Sequence, residues 1–430
     1  MVSRSRSPSR EKPASGARPF PSTPPSLPSP PVALLLYLST LLPLLLPSST
    51  LSPLLSKPHA LSKTSLTYIY QLTLPIKHWS TPHYRKGTYQ QDLLDNLVNV
   101  AIPGTGLPLK FFVLNRLFYV GFLIFIIPLL LVVQDLHLVY LGKERQFSQN
   151  LLGYNLDWCS LWRINCNLAH LHSLKTGDKG YDMENKWEFI LKCEEENIPI
   201  SPTMEVPGIC IKHKNEEGGL GIHFYKSARA GGDWIIQKVI KNSDFVSSLL
   251  PDNSPLSTFR VMTLSEACKK SGTKSKPVPS DFETLSCVFR AGREGALTDH
   301  DSILFNVDLS TGIIGPGTVN KNWYQTYKPG GELRSGDKTF TSHPDNSKLV
   351  TGSKIKNIKQ MLNICEEAHM KALPGVPMVG WDVVLCDEDS VEGGICLLEV
   401  NLSCNFFRGI FDEPRWWRFV QEVIVEMEKR

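Results

Sequence analysis

Three oxygen-bearing side chains stand out for where they sit. Glu399 and Asn401 lie two residues apart in the apolar run "GICLLEVNLSCN" (394–405), and Asp382 interrupts the apolar run "GWDVVLC" (380–386). Side chains on a strand alternate faces. Glu399 and Asn401 are therefore expected to share a face with Ile395 and Leu397, and Asp382 with Val384 and Cys386. The linker "DEDSVEGG" is acidic and ends in two glycines, which predicts a turn and a hairpin. If Cys386 pairs with Ile395, Asp382 falls opposite Glu399. Like charges directly across a ladder are destabilising, and a divalent cation between them removes the conflict. Carboxylate and carboxamide oxygens are hard donors that suit Mg²⁺ shared with substrate phosphates. The competing reading is a solvated strand face with scattered polar groups.

Four cations could hold an anion near such an ion. Lys212 sits on a strand-like run in "CIKHKNEEGGLGIHFY" (210–225), followed by Gly218, Gly219 and Gly221. Glycines allow close backbone approach, so the loop's N–H groups can wrap phosphate oxygens, and the lysine supplies a point charge. No G-K-[ST] opens a helix, so this is not a Walker loop, nor is it a dinucleotide fingerprint. The plainer alternative is a hairpin. Lys186 opens the helical pattern "ENKWEFILKCEEENIPI", in which Trp187, Ile190 and Leu191 recur at helical spacing; alternatively it is a surface lysine. Arg260 in "STFRVMTL" and Arg290 in "CVFRAG" are charges in apolar strands and need partners. A phosphate or substrate carboxylate would serve, and so would an internal carboxylate.

The elements that must position these groups follow from texture. From about residue 150 onward charged and apolar residues mix and glycine punctuates short runs, an α+β pattern. "DWIIQKVI", "STFRVMTL" and "LSCVFRAG" read as strands, "SEACKKSGTKSKPVPSD" as a polar loop, and Gly315 to about Ser353 as a long polar insertion. "KIKNIKQMLNICEEAHMKAL" reads as an amphipathic helix.

Ahead of this body the chain is different. Residues 1–31 are rich in Ser, Pro and Arg and predict disorder. Val32 to Leu46 is a short apolar run like the core of a targeting signal, with Pro43 and Pro47 against a long helix. Leu117 to Val133 carries no charge over 17 residues, at the low end of the ~17–25 that span a bilayer. A transmembrane helix is favoured there over a buried core helix. The 430-residue chain has a net charge of only +4, which gives no argument for nucleic acid. Its ten cysteines form no CxxC pair, and read as reduced thiols in a reducing compartment. The single glycosylation sequon, Asn401-Leu402-Ser403, falls inside the candidate ion site.

The order of these pieces is a Lys-led helix, a Lys strand, a Gly loop, "IIQKVI", two Arg strands and a D…E-x-N hairpin. It resembles the ATP-grasp superfamily, and within it the sugar-transfer-associated ATP-grasp family related to α-L-glutamate ligases. The resemblance covers about Lys186 to Phe411. "GWDVVLCDEDSVEGGICLLEVN" and "SHPDNSKLVTG" carry it most specifically, with "STFRVMTL" and "DLSTGII" in support.

The resemblance implies an ATP-grasp fold of two α+β lobes clasping ATP. The domain would run over 150–430, with a flap near 209–226 and a metal hairpin at 380–402. A targeting-like segment (1–60) and a membrane-associated region (61–149) with one transmembrane helix would precede it. By the same resemblance Lys186 and Lys212 would touch ATP phosphates under the Gly218/Gly219/Gly221 flap. Gln237 would stand at the acidic hinge position, and Lys238 and Ile240 would offer backbone groups to adenine. Asp382, Glu399 and Asn401 would hold two Mg²⁺, or Mn²⁺. Arg290 and Arg260 would act on the transferred phosphate or the acid. D-alanine–D-alanine ligases carry an arginine where this chain has Gly380, and the flap here adds Glu216 and Glu217. The implied reaction is carboxylate–amine ligation through an acyl phosphate, on small-molecule substrates, linked by the family's name to glycoconjugate or surface-polymer assembly. The alternatives are a kinase acting on a hydroxyl and a membrane-tethered ATP binder without turnover.

Overall fold

The computed structural model describes residues 28–41, 78–85, 87–101, 115–152, 158–204, 209–212, 222–225, 235–270, 276–319, 339–407 and 409–429. Helices α1 (Pro30–Leu41), α2 (Tyr89–Ala101) and α3 (Arg116–Tyr140) come first, then α4 (Trp158–Thr176) and α5 (Lys186–Glu195). A short hairpin, β1 (Ile209–Lys212) and β2 (Ile222–Tyr225), precedes β3 (Thr258–Ser265), β4 (Phe282–Ala291), β5 (Ile303–Val307) and β6 (Ile314–Thr318). Helix α6 (Ile358–Ala372), strands β7 (Met378–Leu385) and β8 (Ile395–Asn401), and helix α7 (Glu413–Glu428) complete the chain. The large sheet is antiparallel in the order β6-β5-β4-β3-β7-β8. The architecture is therefore α+β.

The sheet is covered on both faces. On one, α5 and α6 pack Phe189, Cys193, Met361, Cys365 and Ala368 against Val261, Trp381, Val383 and Leu397. On the other, α4 and α7 pack Leu168, Trp416, Phe419 and Val423 against Met262, Leu264 and Met378. Double coverage explains why every residue of β3 and β7 is buried, and why neither strand shows a clean polar alternation. Asn185 caps α5 by accepting from the Trp187 N–H at 2.9 Å, and Asn197 ends it in the left-handed region (φ 55). The face of α5 that is buried is Phe189, Ile190 and Cys193. Leu191, expected to face the core, is 41 % exposed.

Other expectations shift too. The described part of "DWIIQKVI", residues 235–240, forms no strand; Gln237 makes an isolated bridge to Thr203. The stretch read as a polar insertion begins with β6, and residues 340–354 fold back on it through bridges Gly317–Phe340 and Ile313–Lys354. Helices α4 and α7 add to the expected elements; in α7, Trp416, Trp417, Val420, Val423 and Ile424 recur at helical spacing.

The apolar run at 117–133 lies within α3, a helix of 25 residues. Phe122–Ile126 is a π segment directly upstream of Pro128. Proline lacks an N–H and crowds the preceding turn, and the wider π turn absorbs that conflict. Residues of the 1–60 stretch other than 28–41 lie outside the described residues; there α1 ends two residues before Pro43. Trp79, Tyr89 and Leu93 pack onto the globular body, in the α4/α7 core.

Candidate functional site

Glu399 lies opposite Asp382, but by a different register from the expected one. Leu385, not Cys386, pairs with Ile395, and the ladder shifts between Asp382 and Val383. The extra residue is Leu398, which opposes no partner of its own, a β-bulge. The bulge changes the face assignment. Ile395 and Leu397 pack in the α6-side core, whereas Glu399 and Asn401 turn to the other face, with Asp382. The expectation that all four share one face is thus corrected: one inserted residue inverts the alternation.

Asp382 is the hub. It stands directly between Arg260 on β3 and Glu399 on β8. Its Oδ1 accepts from Arg260 Nε at 2.6 Å, and its Oδ2 from Arg290 Nη1 at 3.3 Å and Asn401 Nδ2 at 3.4 Å. Arg290 Nη2 reaches Asp299 Oδ1 at 3.0 Å, and the Thr258 hydroxyl donates to the other Asp299 oxygen. Burial pushes the Asp382 carboxyl up, but Arg260 and Arg290 pull it further down, below the ordinary carboxylate value. Burial dominates at Asp299 and raises it. Phe407 lies over both guanidiniums, 4.6 Å from Arg260 and 4.9 Å from Arg290. It holds φ 45, a strained conformation for a bulky residue of the kind found at functional sites.

Glu399 is the open member of the pair. Its side chain is 30 % exposed against 8 % for Asp382, and Lys186 Nζ meets its Oε2 at 2.8 Å. Lys186 therefore reaches this site from the start of α5. A Cβ on Gly380 would stand 3.1 Å from Cys404 Cβ and 3.3 Å from both Arg260 Cδ and Met262 Sδ, so a side chain there would crowd three neighbours, the Arg260 stem among them.

Along the same face beyond Asp382 lies an apolar patch of Ile240, Val384, Cys386 and Cys396, with Leu398, Leu256 and Val391 at its margin. Ile240 thus approaches the hairpin through its side chain. Lys238 does not offer its backbone N–H freely: that group donates to Pro202 O at 2.9 Å, and Lys238 Nζ to Asp389 O at 2.6 Å. Gln237 Nε2 donates to Ser201 O at 2.9 Å. Lys212 is the last residue of β1, paired with Ile222. Gly218, Gly219 and Gly221 lie outside the described residues.

Asp382, Glu399, Asn401, Arg260, Arg290 and Lys186 thus meet on one sheet face, with the Ile240 patch beside them. Among the described residues no three His, Cys, Asp or Glu side chains gather as a metal cluster. An ion here would rest on the two carboxylates and the Asn401 oxygen. Asn401 turns its amide nitrogen toward Asp382; with the amide turned over, its oxygen would join the carboxylate oxygens in a hard-donor set of the kind Mg²⁺ takes. Asp299, Thr258 and Phe407 join the site without a motif of their own. Only a charge beside apolar strands would have hinted at Asp299.

Residues 222–407 match the family model described as sugar-transfer associated ATP-grasp. No curated protein and no solved structure matches the chain.

Proposed function

We propose, from the premise that residues 222–407 carry a sugar-transfer associated ATP-grasp domain, that the chain is an Mg·ATP-dependent ligase joining a carboxylate to an amine or related nucleophile. The domain itself supports an ATP-dependent enzyme of the ligase or kinase type. The observation that carries the finer reading is the convergence of a carboxylate pair with two buried arginines on one face. A pair of guanidiniums can grip a substrate carboxylate or the transferred phosphoryl group by its N–H edges.

Three carboxylates (Asp299, Asp382, Glu399) face three cations (Arg260, Arg290, Lys186). A site balanced in this way accepts ATP together with two divalent cations, itself a neutral set, without net charge burial. Asp382, Glu399 and Asn401 would hold Mg²⁺, which when bound neutralises phosphate oxygens. Lys186 would turn to the phosphates with Lys212 as a second cation, and the Ile240/Val384/Leu398 patch would take the adenine. A substrate carboxylate oxygen attacks the γ-phosphorus, the bond to the β–γ bridging oxygen breaks, and ADP leaves. The amine then attacks the acyl carbon, inorganic phosphate leaves, and the amine proton passes to solvent. Arg260 and Arg290 stabilise charge on the transferred group; positioning and electrostatics supply most of such catalysis. We further propose that α3 anchors the chain in a bilayer, with the cysteine-bearing domain in a reducing compartment. The substrates would be small molecules used in glycoconjugate or surface-polymer modification.

Glu399→Ala should abolish Mg²⁺-dependent ATP turnover while circular dichroism and melting temperature stay near wild type. Unchanged turnover would remove the ion site. Hydroxylamine added with ATP and a panel of acids should yield a hydroxamate. A phosphorylated hydroxyl product with no hydroxamate would instead identify a kinase.

A further inference from the structure

The candidate ATP site is braced by residues far outside the family-matched stretch. Glu184 receives a two-pronged grip from Arg85, with Nε on Oε2 at 2.7 Å and Nη2 on Oε1 at 2.9 Å. The same Oε1 accepts the Leu402 backbone N–H at 2.6 Å. Leu402 directly follows Asn401, and Glu184 lies two residues before Lys186, whose ammonium is on Glu399. One carboxylate thus ties both flanks of the site. Next door the Tyr84 hydroxyl meets Ser403 Oγ at 2.6 Å, and Arg85 Nη1 also reaches the buried Asp92 at 3.2 Å.

The chemistry of this brace is specific. An amide N–H donated to a charged carboxylate is a strong, short bond. A carboxylate only 15 % exposed needs a compensating charge. Arg85 supplies it, and its planar fork also fixes which oxygen is presented to Leu402.

We infer that the segment carrying Tyr84 and Arg85 is part of the ATP site, and that Arg85 is a positioning residue acting through Glu184 on the Asn401 end of the metal hairpin. This rests on the Mg·ATP reading above. It also links the site to the stretch of chain that leads into α3.

The test uses the full-length protein in detergent. Arg85→Lys keeps the charge and removes the fork. Glu184→Gln keeps the shape and removes the charge. Arg293→Lys is the control, because Arg293 makes the same kind of fork on Asp345 (2.8 and 2.5 Å), away from Glu184 and the Leu402 amide. Hydrogen exchange of the Leu402 amide should quicken at least about tenfold in Glu184→Gln and in Arg85→Lys, and not in the control. The Mg²⁺ concentration giving half-maximal ATP turnover should rise by roughly 10-fold or more in both site variants, with kcat at saturating Mg²⁺ much less affected, as for other residues that orient metal ligands. Unchanged Leu402 exchange would overturn the brace. Faster exchange with an unchanged Mg²⁺ requirement would leave the brace purely structural and overturn its role in the site. A wild-type protein showing no Mg²⁺-dependent ATP binding would overturn the functional reading itself, and this role with it.

Discussion

Asp382 is an acid held between two arginines in the middle of a sheet. Arg260 and Arg290 are 4 % and 7 % exposed, so neither can recover its charge solvation if the acid is lost. Removing one member of a buried, hydrogen-bonded charge set typically costs about 3–5 kcal/mol. Asp382→Ala should lose stability on that scale in urea denaturation, and adding Arg260→Met should restore part of it. The sign with pH follows from the depressed carboxyl. Its contribution is fully present above the unfolded value of 3.8 and is lost as pH falls through the lower folded value. The residue types were readable in the sequence: a charge in an apolar strand demands a partner. The partner was not, because Arg260 and Asp382 are 122 residues apart, and only sheet order makes them neighbours.

The α6 helix and the β7–β8 hairpin show how elements fix the site. His369 on α6 is wholly buried, with Nδ1 at 2.8 Å from Thr263 Oγ1 and Nε2 at 2.9 Å from Val376 O. Burial lowers its pKa from 6.5 to about 4. The folded state therefore binds fewer protons than the unfolded one between these values. His369's contribution is complete above pH 6.5 and fades as pH falls toward 4, by about 3 kcal/mol in all. The wild-type unfolding free energy should drop over that window, and His369→Gln should flatten the drop; an equal slope in both proteins would refute the assignment. In the hairpin, Gly393 (φ 78) and Gly394 (φ 65) make the turn, as the glycine pair predicts. Both strands were legible as apolar runs bounded by turn residues. The bulge at Leu398 was not, since nothing in "ICLLEVN" distinguishes a regular strand from one with an extra residue.

At the scale of the whole molecule, the chain joins an α+β body to an apolar helix. Helix α3 carries exposed Leu117, Phe125, Leu129, Val133 and Leu136. Its 25 residues are about 37 Å long, against a hydrocarbon core of ~30 Å. Tyr119 near its start packs against Trp79 of the globular body (5.9 Å between rings). Expressed in cells, the full-length protein should stay in the membrane pellet after carbonate washing, and deleting 116–140 should release it; a wild-type protein in the supernatant would refute the anchor. By itself the sequence determined local matters: the apolar strands, the amphipathic α6, the glycine turn and the residue types of the candidate ion site, because propensity and side-chain alternation act over a few residues. The tertiary structure alone decided three others: that the Arg260 stem lies beside Gly380, that Lys186 meets Glu399, and that Arg85 braces Glu184. Each of these contacts joins segments far apart in the chain, and only the packing of strands and helices into one body brings them within hydrogen-bonding reach.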